Sequence, residues 1–207
     1  MPKTANKQTI AVDVDEVLAQ FAESFVEFSN QRWGTRLSPE DWDEHWSRLW
    51  GTEHHETDKR AQDIYRSDTF RRARRVDTAE EALRKLSSNY RLVVVTSRHR
   101  AVSKDTLDWL EEHFGALFEE VHFAGIWDDL ERSMHERLKA TKTEICRQIG
   151  ADYLIDDAPK HCIAVAGAGI NAVLFGDYKW NRNVKLMPNM VRAKNWQEVL
   201  DDFDAKG

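Results

Sequence analysis

The chain has 207 residues, of which 41% are hydrophobic and 32% are charged, and its formal net charge is -6. This length allows one domain with a sizeable core, or a core domain that carries an insertion. The composition is typical of a soluble globular protein, and the negative charge gives no general attraction to duplex nucleic acid or to an anionic membrane.

The first predicted element is a buried parallel strand from Thr9 to Val14, because this run is short, apolar and β-branched. Two carboxylates, Asp13 and Asp15, lie at its carboxyl end, where open α/β sheets bind their ligands. Close carboxylates repel each other unless a cation or a shared proton intervenes, and oxygen ligands suit Mg²⁺. The alternative interpretation is a polar turn after a buried strand.

A helical insertion is predicted next. Apolar residues recur at helical spacing from Leu18 to Trp33, and Ser38-Pro39 has the form of an N-cap that begins a second helix. No apolar strand pattern occurs between residues 41 and 75. We therefore predict that residues 19–75 form a small helical cap over Asp13, and that Asp77-Thr78 caps the helix leading back to the core.

The rest of the chain is predicted to alternate between strands and helices. The strands are placed at 91–95, 119–124, 153–155 and 171–175, and the helices at 103–114, 140–149 and 160–168. Such alternation indicates a mostly parallel sheet with helices on both faces. The predicted fold class is therefore α/β, with residues 1–18 and 76–207 forming the core domain.

Polar residues follow three of the predicted strands, and a lysine precedes the last of the three. The set comprises Asp13, Asp15, Thr96, Ser97, Lys142, Asp156 and Asp157. It fits phosphoryl transfer, which needs a nucleophile, neutralisation of the phosphoryl oxygens and a proton for the leaving group. Asp13 is the candidate nucleophile, and Asp15 is the candidate acid and base.

The same carboxylates form a candidate metal site. Mg²⁺ would be held by Asp13, by the backbone carbonyl of Asp15 and by the Asp156/Asp157 pair, and it would bridge to the phosphate. The pattern leaves open which member of the Asp156/Asp157 pair contacts the metal directly.

Three further residues are candidates for binding the phosphate group. Thr96 and Ser97 would donate hydrogen bonds to its oxygens, and Lys142 would balance its charge. Lys139 is close enough in sequence to compete for the role of Lys142.

These motifs, in this order, resemble those of the haloacid-dehalogenase-like (HAD) hydrolase superfamily. The matching segments are Asp13-Val-Asp15, the strand ending in Thr96-Ser97, Lys142, and Leu154-Ile-Asp-Asp157. The resemblance implies a Rossmann-like core, a helical cap inserted after the first strand, and Mg²⁺-dependent phosphatase chemistry through an aspartyl-phosphate. It also implies the roles suggested above for Asp13, Asp15, Thr96, Lys142 and the Asp156/Asp157 pair.

Four segments resemble, more narrowly, the 5'(3')-deoxyribonucleotidase-like branch. They are Asp13-Val-Asp-Glu-Val-Leu18, Thr96-Ser-Arg98, Leu154-Ile-Asp-Asp-Ala-Pro159 and Tyr178-Lys-Trp-Asn-Arg182. This resemblance implies a small phosphorylated substrate such as a (deoxy)nucleoside monophosphate. Asp156 lies fourteen positions after Lys142, which is longer than the spacing of the nucleotidases and keeps a non-nucleotide phosphomonoester open as the alternative.

Two other functional classes are alternatives. A phospho-accepting signalling domain uses similar residues, but its lysine comes last, whereas here Asp156 and Asp157 follow Lys142. A non-catalytic binding protein could keep the fold, although every residue of the predicted site is present.

Several side chains near these motifs have two interpretations. Trp33, Trp42, Trp46 and Trp50 could stack on a nucleobase, but such residues more often form the core of a helical insertion. Arg98 could steer an anionic substrate or lie in a solvated loop.

The sequence also bears on compartment and partners. The first eight residues lack the apolar core of a signal peptide, and no run approaches the roughly 20 apolar residues of a membrane span. Cys146 and Cys162 lie in separate helical patterns, which argues against a disulfide framework or a cysteine-based zinc site. We expect a cytoplasmic protein without a membrane partner; the pattern does not specify its oligomeric state.

Overall fold

The computed structural model describes residues 7–125 and 141–205, in which strands and helices alternate. Lys139, the competing lysine of the sequence analysis, lies outside these ranges. The strands are β1 (Gln8–Val12), β2 (Ala19–Gln20), β3 (Arg74–Arg75), β4 (Tyr90–Thr96), β5 (Glu120–Phe123), β6 (Ala151–Asp156), β7 (Asn171–Phe175) and β8 (Met190–Ala193). The helices are α1 (Phe21–Trp33), α2 (Trp46–Trp50), α3 (His54–Arg66), α4 (Thr69–Arg72), α5 (Ala79–Ser87), α6 (Ser103–Phe114), α7 (Lys142–Gln148), α8 (Pro159–Gly167) and α9 (Trp196–Asp204).

Six of these strands form one parallel sheet in the order β5-β4-β1-β6-β7-β8. The chain adds β4 and β5 on one side of β1 and then adds β6, β7 and β8 on the other side. The strand order therefore reverses at β1, and a crevice opens beyond the carboxyl end of that strand. The predicted α/β class with a parallel sheet is confirmed.

Alternate residues of the central strands face opposite sides of the sheet. Ile10 and Val12 join one apolar core with side chains of α5, α6 and α9. Ala11 joins a second core with Ile145 of α7 and Val165 of α8. The sheet is thus covered by helices on both faces, and the direction of each side chain after β1 follows from this alternation.

Helices α1 to α4 lie between β2 and β3, which pair with each other as a short antiparallel ribbon. These helices share an apolar cluster of their own, which contains Phe25 and Trp50 stacked at 5.2 Å between ring centroids. Trp33, Trp42 and Trp46 are partly buried against this cluster. The tryptophans thus pack largely as the core of the helical segment.

Three features differ from the sequence-based expectations. The helix expected after Ser38 is a single 3₁₀ turn, Pro39–Asp41, closed by a capping box between Ser38 and Asp41. Thr78 precedes α5 in a left-handed conformation with φ of 61° and provides no side-chain cap. Beyond β7 the chain adds β8 and α9, which were not predicted because β8 is short and mixes apolar with basic residues.

Among the described residues, no helix combines the length and the apolar character that crossing a bilayer requires.

Candidate active site

Asp13 directly follows β1 and is 6% exposed. Its backbone N–H donates to the Ile155 carbonyl at 3.0 Å, which continues the pairing of β1 with β6 by one residue. Because side chains alternate along a strand, Asp13 points to the same face as Ala11, the face covered by α7 and α8. The β1 strand thus directs the carboxylate toward the start of α7.

Lys142 is the first residue of α7 and is almost completely buried. A capping box between Thr141 and Glu144 sets the start of this helix, so the position of the lysine is determined locally. Its Nζ lies 2.8 Å from Asp13 Oδ1 and 2.7 Å from Asp156 Oδ2. One buried ammonium group therefore bridges the carboxyl ends of β1 and β6.

Asp156 and Asp157 stand at the end of β6 with different surroundings. Both oxygens of Asp156 have partners, since Oδ2 accepts from Lys142 and Oδ1 accepts from the Ala158 N–H at 2.9 Å. The Oδ2 atom of Asp157 accepts from the indole N–H of Trp180 at 2.8 Å. Among the described residues, the Asp156 carboxylate thus accepts hydrogen bonds at both oxygens, whereas the Asp157 carboxylate accepts one at Oδ2.

Asp13, Asp156 and Asp157 each offer an oxygen such that the three oxygens lie within 4.8 Å of one another. All three residues are buried. Within residues 7–125 and 141–205, Oδ1 of Asp13 has no hydrogen bond of good geometry, although Lys142 is near. A compact set of hard oxygen donors at this spacing fits a divalent cation such as Mg²⁺.

Burial and neighbouring charges shift the ionisation of this cluster. Burial raises the pKa of Asp13 to about 7, with further increases from Asp156 and Asp15, while Lys142 opposes the change. Burial, together with Asp156 and Asp13, also raises the pKa of Asp157 well above its usual value. Burial alone would lower the pKa of Lys142, but the carboxylates of Asp13 and Asp156 outweigh it and raise that pKa. Among the described residues, the single charge of Lys142 therefore does not offset the effect of burial on the pKa values of Asp13 and Asp157.

Asp15 is turned toward a different cation. Its Oδ1 accepts hydrogen bonds from Arg98 at 3.0 Å from Nε and at 2.7 Å from Nη2. The side chain of Asp15 is 25% exposed, whereas that of Arg98 is 0% exposed. The solvated-loop interpretation of Arg98 was therefore wrong, because its side chain is buried. The interpretation that Arg98 steers an anionic substrate stays a prediction, and the residue borders the cavity described below.

Thr96 and Ser97, the predicted phosphate-binding residues at the end of β4, have different surroundings. Thr96 is completely buried, and its hydroxyl accepts a hydrogen bond from the Arg98 N–H at 3.2 Å. Ser97 lines the cavity described below, and its buried hydroxyl has no hydrogen-bond partner among the described residues. Ser97 thus presents a free donor to the site.

Glu16 connects the loop after β1 with the helical segment. Its backbone has φ of 59°, a conformation that glycine adopts more readily, and its buried carboxylate accepts from the Ala22 N–H at 2.6 Å. Burial raises the pKa of this carboxyl group to about 8. The Tyr178 hydroxyl donates to the Glu16 carbonyl at 2.7 Å, which links the loop to the segment after β7.

A cavity of about 790 Å³ lies over these residues, between the sheet and the helical segment. Its floor includes Asp13, Asp15, Ser97, Lys142 and Asp157, and its walls include Phe21, Trp42, Trp46, Tyr65, His99, Lys160, His161 and Trp180. Tyr65 stacks on His99 at 4.7 Å, and Glu44 forms an ion pair with Lys160, so contacts cross between the two walls. A small molecule with one polar and one aromatic end matches this lining.

The segment after β7 supplies part of the cavity wall through Trp180. Trp180 stacks on Tyr178 with ring centroids 4.6 Å apart. Asn181 donates to the Asp157 carbonyl at 3.0 Å and to the Phe175 carbonyl at 2.8 Å. The carbonyl and carboxylate of Asp157 are therefore both held by this segment, a relationship that its sequence alone did not indicate.

Other titratable groups of the helical segment and of the core are paired or neutral. Arg71 forms an ion pair with Asp108, and Arg74 forms one with Glu23. Burial and the nearby Lys142 lower the pKa of His161 to about 3, so this imidazole is neutral at ordinary pH. Burial likewise raises the pKa of Cys146 to about 12, which makes it a poor nucleophile.

In sequence, the chain is similar to nucleotidases. Residues 7–126 match the family of "5' nucleotidase, deoxy (Pyrimidine), cytosolic type C protein". A 5'(3')-deoxyribonucleotidase of Clostridium acetobutylicum is 26% identical over 199 residues, which cover 94% of this chain and 93% of that protein.

Structural comparison gives the same fold at lower identity. A haloacid dehalogenase-like family hydrolase of Streptococcus pneumoniae is similar with a TM-score of 0.70 and 14% identity, over 95% of this chain and 98% of the other. A HAD-hydrolase of Bacillus subtilis, determined bound to magnesium, is similar with a TM-score of 0.60 and 14% identity, over 97% of this chain and 100% of the other. These similarities show the HAD fold.

Proposed function

The chain belongs to the 5' nucleotidase, deoxy (pyrimidine), cytosolic type C family of HAD-like hydrolases, and on this basis we propose that it is a Mg²⁺-dependent phosphatase of a small metabolite. Its enzyme class, phosphoric monoester hydrolase, follows from the family. The substrate we propose is a 5'-(deoxy)nucleoside monophosphate, in keeping with the name of the Clostridium acetobutylicum relative.

One observation carries the proposal: three buried carboxylates cluster with one buried ammonium group, and two of these carboxylates, Asp13 and Asp157, line the floor of the cavity. Such a concentration of perturbed acids is costly for folding and is typical of a catalytic site.

We propose that Mg²⁺ binds to Asp13, to Asp157 and to the backbone carbonyl of Asp15. Asp157 is preferred over Asp156 as the direct ligand because both Asp156 oxygens already have hydrogen-bond partners. When bound, the ion would neutralise the phosphoryl oxygens and the excess charge of the carboxylates.

The proposed reaction has two halves. In the first, a carboxylate oxygen of Asp13 attacks phosphorus, the bond from phosphorus to the leaving oxygen breaks, and the Asp15 carboxyl proton moves to that oxygen. In the second, the Asp15 carboxylate takes a proton from water, whose oxygen attacks phosphorus. The bond to Asp13 then breaks, which releases inorganic phosphate and restores both residues.

Lys142 and Ser97 would assist this reaction from opposite sides of the nucleophile. The ammonium group of Lys142 holds Asp13 from the α7 side, and the unpartnered hydroxyl of Ser97 would donate to a phosphoryl oxygen. Thr96, whose hydroxyl already accepts a bond from Arg98, retains its own proton to donate.

We further propose that residues 19–75 act as a cap that closes the cavity, excludes water and selects the leaving group. The aromatic side chains of Trp42, Trp46 and Tyr65 on this wall support an aromatic leaving group such as a nucleoside. We also propose a cytoplasmic location, which agrees with the two free and buried cysteines, Cys146 and Cys162.

The test is phosphate release from a panel of substrates, assayed with Mg²⁺ and with EDTA. The panel comprises ribo- and deoxyribonucleoside 3'- and 5'-monophosphates, sugar phosphates and p-nitrophenyl phosphate. We expect Mg²⁺-dependent release, fastest with a nucleotide, and no release by the Asp13→Asn variant.

Each other outcome has a definite meaning. Fastest release from a sugar phosphate would overturn the nucleotide proposal and keep the phosphatase. Stable phosphorylation of Asp13 without turnover would indicate a phospho-accepting protein instead.

A further inference from the structure

Arg98 is a buried cation beside the catalytic carboxyl group of Asp15, and the mechanism above gives it no role. We propose that Arg98 is a positioning residue whose guanidinium group fixes the direction of the Asp15 carboxyl group, so that one oxygen serves both proton transfers. This inference rests on the proposed phosphatase function and deepens it.

The contact geometry supports this role. Both guanidinium contacts fall on Oδ1 of Asp15, at 3.0 Å from Nε and 2.7 Å from Nη2. Oδ2 is therefore the oxygen left to exchange a proton with the leaving group or with water. Two charge-assisted hydrogen bonds to one oxygen restrict rotation of the carboxyl group.

The surroundings of Arg98 hold the guanidinium group in place. Its Nη1 atom donates to Thr106 Oγ1 at 3.2 Å, and that hydroxyl donates in turn to the Val102 carbonyl at 2.8 Å. The guanidinium carbon lies 5.0 Å from the ring centroid of Phe70 and 5.6 Å from that of Phe21. The two aromatic rings and the bond to Thr106 therefore hold the guanidinium group in one position before any substrate binds.

The burial of Arg98 separates this role from direct substrate binding. Its side chain is 0% exposed, whereas the side chain of Asp15 reaches solvent. Arg98 borders the cavity, but its side chain has no exposed surface, so we place Asp15 between the guanidinium group and the substrate. Leaving the buried guanidinium group without a carboxylate partner would cost much free energy. The ion pair between Arg98 and Asp15 is therefore expected to persist.

A purely structural role is the competing explanation, since Phe21 and Phe70 belong to the helical segment while Thr106 belongs to the core helix α6. The test must therefore use a readout that loss of packing would not produce. We choose Arg98→Met, which keeps an unbranched apolar side chain against the aromatic rings.

Arg91→Met is the matched control. Arg91 lies on the same strand, β4, at the end opposite the site, and it also loses acidic partners on substitution, Glu119 and Glu120. Arg91→Met therefore removes an arginine and its ion pairs from β4 without touching Asp15.

The assay compares two leaving groups in the intact protein with Mg²⁺. p-Nitrophenolate leaves without a proton, whereas the alkoxide of a nucleoside monophosphate needs one. For Arg98→Met with p-nitrophenyl phosphate, we expect the first-turnover burst to stay within about threefold of wild type while steady-state turnover falls about 10²-fold. Phosphorylated Asp13 should then accumulate and be detectable by mass spectrometry.

With a nucleoside monophosphate, kcat of Arg98→Met should fall about 10²-fold with little change in KM, and no phosphoenzyme should accumulate. Adding Arg98→Met to Asp15→Asn should cause no further loss, because the two residues act as one unit. Arg91→Met should match wild type in every assay.

Several results would overturn the positioning role while leaving the phosphatase intact. They are equal loss of burst and steady-state rates, unchanged kinetics, or an additive loss in the double variant. If Arg98→Met does not fold, Thr106→Val is the second variant; it removes the hydroxyl that bonds to Arg98 Nη1 and to the Val102 carbonyl. It should show the same pattern in weaker form, and normal kinetics there would count against the role. A wild type without any phosphatase activity would instead overturn the proposed function itself.

Discussion

Lys142 and Asp156 form an ion pair that is almost entirely removed from solvent, with Nζ 2.7 Å from Oδ2 and side-chain exposures of 1% and 0%. Asp13 lies 2.8 Å from the same nitrogen, and Asp157 completes the carboxylate cluster. Among the residues that the structure describes, one ammonium charge thus faces three carboxylates in a buried space. This imbalance accounts for the raised pKa values of Asp13 and Asp157 and for the fit to a divalent cation.

The first prediction concerns the buried ammonium group. Lys142→Met should lower the free energy of unfolding in EDTA by about 3–5 kcal/mol, because it leaves buried carboxylates without their cation. Mg²⁺ should recover part of this loss, and urea unfolding with and without Mg²⁺ measures both effects. Lys160→Met is the control: its ion pair with Glu44 is partly exposed, so the loss should be at most about 1 kcal/mol. Equal losses for the two variants would contradict the claim that the buried ion pairs of Lys142 matter more for stability than the partly exposed ion pair of Lys160.

The second prediction concerns pH. Burial raises the pKa of Asp13 from 3.8 to about 7 and that of Glu16 from 4.5 to about 8. Between these values the folded protein retains protons that the unfolded chain has lost, so Asp13 and Glu16 make the stability of the metal-free protein fall as pH rises from about 4 to about 8. The lowered pKa of His161 acts in the opposite direction up to about pH 6.5, so the fall should be steepest above that pH.

Urea unfolding in EDTA across this range measures how the free energy of unfolding changes with pH, and Glu16→Gln should make that change smaller. Since Mg²⁺ binds the ionised carboxylates, it should stabilise the protein more at pH about 8 than at pH about 6. A metal-free protein that gains stability between about pH 6.5 and about pH 8 would disprove the raised pKa values of Asp13 and Glu16.

The third prediction is that Asp13→Asn abolishes phosphate release, by at least about 10³-fold, while the protein stays folded. An amide is a poor nucleophile, and it removes one buried charge from the cluster. Phosphate release and circular dichroism test the two halves of the prediction. Substantial residual turnover would exclude a covalent intermediate at Asp13.

The fourth prediction separates proton transfer from metal binding. Asp15→Asn should slow turnover of nucleoside monophosphates by about 10²–10⁴-fold, since the amide cannot exchange the required proton. Its Mg²⁺ affinity should be unchanged, because the carboxylate of Asp15 faces Arg98 and the proposed metal contact is through the backbone. Calorimetric titration with Mg²⁺ measures this, and a large loss of affinity would refute the assignment.

The fifth prediction concerns the partner of Asp157. Trp180→Phe removes the indole N–H that donates to Asp157 Oδ2 at 2.8 Å but keeps an aromatic ring against Tyr178. We expect Mg²⁺ affinity to fall about 10–100-fold, as for other residues that orient metal ligands. Trp196→Phe removes an indole bond to the Val17 carbonyl and should leave metal affinity intact. Unchanged affinity in Trp180→Phe would exclude Asp157 as a directly oriented ligand.

The catalytic floor was largely predictable from local patterns. The apolar runs before Asp13, Thr96 and Asp156 indicated buried parallel strands, and the carboxyl ends of such strands converge at one edge of the sheet. The motif order added the expectation that Lys142 joins them, and the structure places its Nζ between Asp13 and Asp156. Their assigned catalytic roles remain predictions for the experiments above.

The walls of the site could not be predicted in the same way. Arg98 is separated from Asp15 by 83 residues, and Trp180 from Asp157 by 23, and no local period couples the members of either pair. Periodicity reports which face of an element is buried, but it does not report which distant side chain meets that face. The aromatic residues 33–50 likewise indicated packing without specifying which of them would line the cavity.

The α/β class, the parallel core and the identity of the carboxylate and lysine residues could thus be predicted from local patterns, because strand and helix periods and strand-end positions are local properties. The burial of Arg98 against Asp15 and the contact of Trp180 with Asp157 are visible only in the folded chain. Those contacts depend on how α6 and the loop after β7 pack around the end of β1, and packing is a property of the whole assembled core.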